Sequence, residues 1–305
     1  MSTQSITAEA VKTLRERTGA GMMECKKALV ESGGDLDAAA EAMRKSGLAK
    51  ADKKANRVAA EGVIAIERSA DGKLAAIIEV NCETDFVARE AAFQTFASNV
   101  AKAALTGKPG NLEALAALKI DGSTVDEVRR ALVAKIGENI GVRRFELVNA
   151  QAVVGNYLHG TRIGALVAMK SGDDIVAKDI AMHVAAINPP YLSANDVPAA
   201  DLAKEKEIQL EQTKVDPKNA NKPVEMLGKI IEGKLRKWTG EMTLLGQPFV
   251  KDDKQSVEAY LKKSGADVAS FVRYEVGAGI VKKQEDYLAE VMKTMQDAEK
   301  KPRAL

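Results

Sequence analysis

Cysteine and histidine are nearly absent: the 305 residues hold only Cys25, Cys82, His159 and His183. The two cysteines lie far apart with no CxxC spacing, which leaves two reduced, packed thiols as the expectation rather than a disulfide framework or a zinc ribbon. Two isolated histidines exclude most histidine-based metal centres, so no metal and no cofactor is expected. Aromatic residues make up only 4% of the chain, and packing must rest on aliphatic side chains and alanine. No apolar run approaches the roughly 18 residues of a membrane span, and the N-terminus enters a helical pattern without a leader segment. A cytoplasmic chain without stable membrane contact is the expectation. Neither sign of charge dominates either. With 45 basic and 43 acidic side chains the formal net charge is +2, too small for a broad field around a polyanion, so direct nucleic-acid binding is not required.

The motifs of catalysis are missing as well. GKIIEGKL (Gly228 to Leu235) reads G-x-x-x-x-G-K, but Leu235 stands where a phosphate loop needs Ser or Thr for magnesium. The stretch also lies inside a helical pattern rather than after a strand. The two Gly-Ala-Gly triplets, at 19–21 and 277–279, lack the third glycine of a dinucleotide fingerprint. There is no Gly-x-Ser-x-Gly elbow, and no spacing singles out a carboxylate pair. The chain reads as a non-enzyme.

What is present is a globular composition, 46% apolar and 29% charged, at a length that suggests about two domains. Residues 1–47 read as three short helices with a small core of Val11, Leu14, Leu29, Leu36 and Met43. Thr7 caps Ala8–Arg17, which Gly19 ends; Met22–Glu31 stops at Gly33-Gly34; Asp35 caps Asp37–Lys45, which ends at Gly47. Met22 and Met23 are adjacent, so one is expected inside and the other free for a partner surface. Residues 48–61 are basic and lack an apolar face, which reads as a linker with solvated charges.

The middle of the chain repeats. Shifted by 89 positions, LAAIIEVNCETDFVAREAAFQ (Leu74 to Gln94) falls on IGALVAMKSGDDIVAKDIAMH (Ile163 to His183) without a gap. Each copy is preceded by another strand pattern and a turn, at Asp71-Gly72 or Gly160-Thr161, and leads into a helix opening at Thr84 or at Asp173 or Asp174. VRRFELV (Val142 to Val148) closes the first copy and FVRYEVG (Phe271 to Gly277) the second. The fold class is therefore α+β, with two related halves at 62–149 and at 150–200 plus 241–281, each a three-stranded antiparallel sheet covered by helices. Residues 201–240 form a protruding helical hairpin around VDPKNANKP, with Val224, Leu227, Ile231, Leu235 and Trp238 as a heptad-like stripe. Leu202, Ile208, Leu210 and Val215 are the few apolar residues of the outgoing arm. Residues 282–305 are a charged C-terminal helical module.

Phe86 poses the main question. It follows Glu83-Thr84-Asp85 at a strand-to-helix corner, where a large apolar side chain could be held out to touch something. The opposite reading also has support: its counterpart in the repeat is apolar Ile175, and at helical phase it shares an arc with Phe93, Phe96 and Val100.

Several motifs carry a resemblance to a known family. RTGAGMMECKKAL, EVNCETDFVAR, KIGENIGVRR, HGTRIGALV, AMHVAA and GQPFV occur in the order of the bacterial elongation factor Ts family, and the chain resembles that family over essentially its whole length. Glu24 in place of the commoner Asp, Trp238 in place of another aromatic, and the hairpin tip depart from its pattern. The resemblance implies a ubiquitin-associated-like N-terminal domain, a two-subdomain core, a coiled-coil protrusion and a C-terminal module. It implies a guanine-nucleotide exchange factor whose partner is elongation factor Tu, GDP-bound and nucleotide-free. Thr84, Asp85, Phe86 and Val87 would press near the partner's magnesium site. Arg15, Met22 and Met23 would touch its nucleotide domain, and His159, Gly160 and Arg162 would hold another of its domains. The competing reading is an RNA-binding translation scaffold without exchange activity, resting on the basic linker and the hairpin. Self-association is not readable from the residues.

Overall fold

A computed structural model describes residues 6–18, 20–216 and 222–281. Gly19 as a helix stop, most of the hairpin tip and the final charged helix lie outside the described residues.

Caps and glycines set the N-terminal helices. Thr7 accepts the Ala10 N–H at 3.1 Å and opens α1 (Ala8–Thr18); α2 (Met22–Glu31) ends before Gly33 and Gly34, both at positive φ. Asp35 Oδ1 accepts from the N–H groups of Asp37 and Ala38 at 2.8 and 3.0 Å, starting α3 (Leu36–Lys54). Val11, Leu14, Cys25, Leu29 and Ala39 bury one another between the three helices, with Leu36 and Met43 at the margin. The third helix corrects an expectation. It runs through Gly47 to Lys54 and takes up half of the stretch read as a linker. The cause is tertiary, because the helix packs along a later one at Val125–Ile136. A Cβ at Gly47 would already sit 3.2 Å from that of Ala134, and Lys54 Nζ donates to the Gly137 carbonyl.

The chain continues with β1 (Glu61–Arg68), β2 (Leu74–Cys82), a five-residue α4 (Asp85–Arg89) and α5 (Ala91–Gly107). After α6 (Leu112–Ala117) come the short β3 (Lys119–Ile120) and β4 (Ser123–Thr124), then α7 (Val125–Ile136) and β5 (Gly141–Asn149). The second copy supplies β6 (Val153–His159), β7 (Ile163–Ser171) and α8 (Asp174–Ile187). The hairpin arms α9 (Ala199–Val215) and α10 (Val224–Met242) follow, then β8 (Pro248–Phe249), β9 (Asp252–Ser256), α11 (Val257–Lys263) and β10 (Asp267–Glu275).

The repeat holds residue for residue. At the shift of 89, β2 covers β7 end to end and the first residue of α4 meets that of α8. The two antiparallel sheets have the orders β1-β2-β5 and β6-β7-β10, so the repeated strand is central in each. Both central strands are apolar on both faces, and the reason is layering. Alternate residues of β2 point to opposite sides: Ala76, Ile78 and Val80 face α5 and α7, while Ala75 and Ile77 face the other sheet. In β7, Ala165, Val167 and Met169 face α8, while Leu166 and Ala168 meet β2's residues in a core shared by the two sheets. Gly155 lets α8 approach β6, since a side chain there would collide with the Ala177 backbone.

The hairpin is held by little apolar contact. Only Ile231 of its stripe is fully buried. The outgoing arm turns Leu202, Glu205, Gln209 and Thr213 toward its partner, whereas Ile208, Leu210 and Val215 are exposed. Lys234 Nζ donates to Thr213 Oγ1 at 3.1 Å across the seam. The return strand β8 is anchored by buried His183 on α8. Its Nδ1 accepts the Val250 N–H at 3.1 Å, which leaves Nε2 protonated to donate to Gln247 Oε1 at 3.0 Å.

Two outcomes follow. Excising 215–224 and closing the arms with a short turn leaves unfolding by urea within about 0.5 kcal/mol of the parent; loss of cooperative unfolding would show that the arms belong to the core. Burial, against the opposing Gln247 bond, lowers the His183 pKa. The unfolded chain therefore takes up a proton first, and stability contributed above about pH 6.5 is lost as pH falls toward the folded value. Urea midpoints between pH 8 and 5 measure this, and the acid-side slope shrinks in His183→Gln.

Candidate functional site

The corner that carries Phe86 is built by a local cap and by hydrogen bonds from one distant segment. Thr84 is the N-cap of α4, with extended backbone and its Oγ1 accepting the Val87 N–H at 3.4 Å. Its hydroxyl donates to Glu138 Oε1 at 2.7 Å, and Glu138 Oε2 accepts the N–H groups of Glu83 and Thr84 at 3.1 and 3.0 Å. Glu83 returns the contact, its Oε1 accepting the Asn139 N–H at 2.6 Å. Asp85 does not cap the helix but pairs with Arg89 one turn on, at 2.7 Å. Below the corner, burial first and then the Glu138 and Glu61 charges push the Cys82 thiol up to about 12. It stays protonated and bonds the Thr84 carbonyl at 3.1 Å. This is a packed thiol, not a nucleophile.

On this support Phe86 is 76% exposed, while Val87 beside it is buried. The shared arc with Phe93, Phe96 and Val100 presupposes a continuous helix, and the helix breaks. Glu90 is extended at φ −67° and ψ 133°, α5 starts afresh at Ala91, and Gln94 Nε2 serves the freed Ala88 carbonyl at 3.2 Å. Phe93 and Phe96 are core; Phe86 is not. The repeat shows the same surface position: Asp173 caps α8 and Ile175 is 71% exposed.

The other candidates are also at the surface. Arg15 is exposed on α1. Met22 and Met23 are 51% and 76% exposed, which corrects the expectation that one packs inward. Cys25, Ala28 and Leu29, later on α2, bury its inner face instead. His159, Gly160 and Arg162 form the exposed β6–β7 turn, with Gly160 at φ +58°. This turn belongs to the second half yet is tied to the first: Arg162 pairs with Glu61 at 2.6 Å, and Ile64 N–H donates to the Thr161 carbonyl at 2.7 Å. Glu61 is also the strand partner of Cys82, so it joins the turn to the strand end that leads into Thr84. Arg15, Met22 and Met23 lie apart, on the helical bundle carried by α7. Glu61 supports the candidate site and lies in no motif that pointed to it. The one signal for Glu138 was its place in KIGENIGVRR.

A cleft of about 790 Å³ opens between the bundle and α7, lined by Ala28, Met43, Val128 and Ala134 among others. Its walls carry the long Arg44–Glu127 pair at 4.0 Å and no catalytic constellation. Among the described residues no group of three or more His, Cys, Asp or Glu side chains could hold a metal ion, and no helix is long and apolar enough to cross a membrane.

These features define a class: a two-repeat α+β scaffold that presents apolar side chains from pinned surface positions. The family model for elongation factor Ts matches residues 83–278. The chain is 57% identical over 289 residues to elongation factor Ts of Xanthomonas euvesicatoria, an overlap covering 94% of this chain and 98% of that one. Against the Alkalilimnicola ehrlichii protein of the same name identity is 54% with the same coverage, and against that of Halorhodospira halophila it is 52% over 96% of this chain and 100% of the other. The chain belongs to the elongation factor Ts family of translation elongation factors.

Exposure makes a stability prediction. Phe86→Ala changes the unfolding free energy by less than about 0.5 kcal/mol, whereas Phe93→Ala loses about 3–5 kcal/mol through its cavity and Thr84→Ala about 0.5–2 kcal/mol through its cap. Urea titration checks all three; a Phe86 loss comparable with that of Phe93 would return it to the core.

Proposed function

We propose that the chain is a guanine-nucleotide exchange factor for elongation factor Tu, binding the GDP-loaded GTPase, releasing GDP and remaining bound until GTP enters. The observation that carries this reading is Phe86, three-quarters exposed on a corner whose backbone is held by a cap and a carboxylate clamp. An exposed aromatic on a pinned turn loses little conformational entropy when it enters a pocket, which is how a rigid anchor contributes binding energy. Thr84, Asp85, Phe86 and Val87 form the wedge segment set against the partner's magnesium and phosphate site, with buried Val87 seating exposed Phe86. Arg15, Met22 and Met23 dock its nucleotide domain, where two exposed thioethers adapt to an uneven surface. His159, Gly160 and Arg162 hold a second domain. The spans at 1–47, 48–61, 62–149, 150–200 with 241–281, 201–240 and 282–305 then serve as docking unit, connector, wedge half, holding half, hairpin and C-terminal module.

Linkage sets the energetics. A protein that weakens GDP binding must bind the nucleotide-free GTPase more tightly than the loaded one by the same factor. A 10⁴-fold weakening requires roughly 5.5 kcal/mol of differential binding. The wedge supplies the part gained only when the phosphate site opens. The bundle and the β6–β7 turn supply contacts that persist through both states, and so hold the complex while nucleotide contacts are lost. Both GDP and GTP leave faster, and the excess of GTP in the cell sets the direction. No chemical bond is made or broken by this chain. The RNA-scaffold reading has less support, because Lys54 and Arg57 of the basic stretch are engaged with the Gly137 carbonyl and Glu83.

Release of a fluorescent GDP from elongation factor Tu tests the reading. Phe86→Ala, folded normally, lowers the release rate at saturating factor and weakens binding by about 2 kcal/mol or more. Wild-type release rates with Phe86→Ala would remove the wedge. Absence of any acceleration by the unaltered protein would remove the exchange function itself.

A further inference from the structure

We propose that Glu138 is a positioning residue for exchange, holding the Phe86 corner at its presenting angle and tying that corner to the segment that carries the N-terminal bundle. The inference rests on the exchange reading above. Its basis is one carboxylate that accepts three hydrogen bonds: from Glu83 N–H at 3.1 Å, Thr84 N–H at 3.0 Å and Thr84 Oγ1 at 2.7 Å. Those donors belong to Glu83, the bend between β2 and α4, and to Thr84, the N-cap of α4. A five-residue helix has scarcely more than one turn of its own hydrogen bonds, so its direction follows from how its first residues are held.

Glu138 itself stands at a junction. It follows Gly137, the left-handed C-cap of α7 at φ +92°. The Gly137 carbonyl takes Lys54 Nζ from the end of α3. The next residue, Asn139, donates from Nδ2 to the carbonyls of Ala55 and Arg57 at 3.2 and 2.7 Å, and Arg57 pairs with Glu83 at 3.6 Å. Three consecutive residues, 137–139, therefore grip the chain leaving the bundle on one side and the chain entering α4 on the other. Docking of the bundle and insertion of Phe86 are thereby referred to the same three residues. Loosening the grip leaves every side chain of the wedge present but misaimed, and a misplacement of about 1 Å can cost up to a hundredfold in rate.

The experiment measures GDP release from elongation factor Tu with Glu138→Ala, Glu138→Gln, Phe86→Ala and the Glu138→Ala/Phe86→Ala double variant, each first shown folded by circular dichroism. Glu138→Ala is expected to lower the maximal release rate by roughly ten- to a hundredfold, with under threefold change in half-saturating concentration. Glu138→Gln, whose amide keeps an acceptor for the two N–H groups, returns to within about threefold of the parent. The double variant is no slower than the slower single variant, because both act through one corner. An unchanged maximal rate in Glu138→Ala, or a double loss equal to the product of the single losses, overturns the positioning role while leaving the Phe86 wedge in place. Normal release with Phe86→Ala overturns both. Should Glu138→Ala not fold, Glu138→Asp, too short to reach all three donors, is judged by the same rate criteria.

Discussion

A buried carboxylate fastens one end of the seam between the two halves of this protein. Glu79 lies on the face of β2 that meets the other sheet, at the end of the apolar patch begun by Ala75 and Ile77. Burial alone would raise its pKa, but donors converge on it: Gly277 N–H at 2.8 Å, Asn81 Nδ2 at 3.0 Å, Arg144 Nε at 2.6 Å and Arg143 Nη1 at 3.1 Å. The balance falls below the ordinary value, so the group is charged and satisfied. Arg144 also lies 4.1 Å over the Tyr274 ring, and Arg143 donates to the Ala278 carbonyl at 2.6 Å. Gly277 reaches Glu79 from a left-handed turn at φ +74°, with the Ala60 carbonyl so close that a side chain would collide. A carboxylate stripped of water costs several kcal/mol unless paired, so these donors are obligatory and the end of β10 is fixed against β2. The second half is thereby tied to β2 at Gly277, along the same seam that the Arg162–Glu61 pair fastens at the β6–β7 turn.

The repeat is legible in the strands, and the difference between its copies is legible at the corners. Both copies end their central strand in an N-capped helix with an apolar residue in its first turn. The first is clamped by the Glu138 carboxylate and breaks its helix after one turn, whereas the second is met at Asp174 by Arg68 of β1. The second runs on through α8 and uses its later residues, His183 above all, to fasten β8. One scaffold thus supports a presented corner and, in its copy, a structural anchor.

Local signals carried far in the sequence and long-range ones did not. The repeat register and the helix starts at Thr7, Asp35 and Thr84 were readable because each depends on a few adjacent residues, and the start of α8 was narrowed to Asp173 or Asp174, of which Asp173 is the cap. The continuous apolar runs of β2 and β7 pointed to helices on one face; the sheet-on-sheet core that fills the other face needs both halves at once. Periodicity placed Phe86 in line with Phe93 because no residue type marks the break at Glu90. Lys54 and Glu138 each act across more than fifty positions of sequence, where spacing is silent. The hairpin seam misled for another reason: Glu205, Gln209 and Thr213 face inward, so its apolar residues were not a guide to its geometry.

The unbroken α3 changes what kind of joint lies between the bundle and the rest of the chain. A flexible tether tolerates one residue more or less with a small change in reach. A helix converts each added residue into about 100° of rotation and 1.5 Å of travel. Length changes between Gly47 and Lys54 would therefore swing Met22 and Met23 around the axis, and only steps of whole turns would return them to the same side. The segment works as a keyed shaft, and its length is part of the protein's aim.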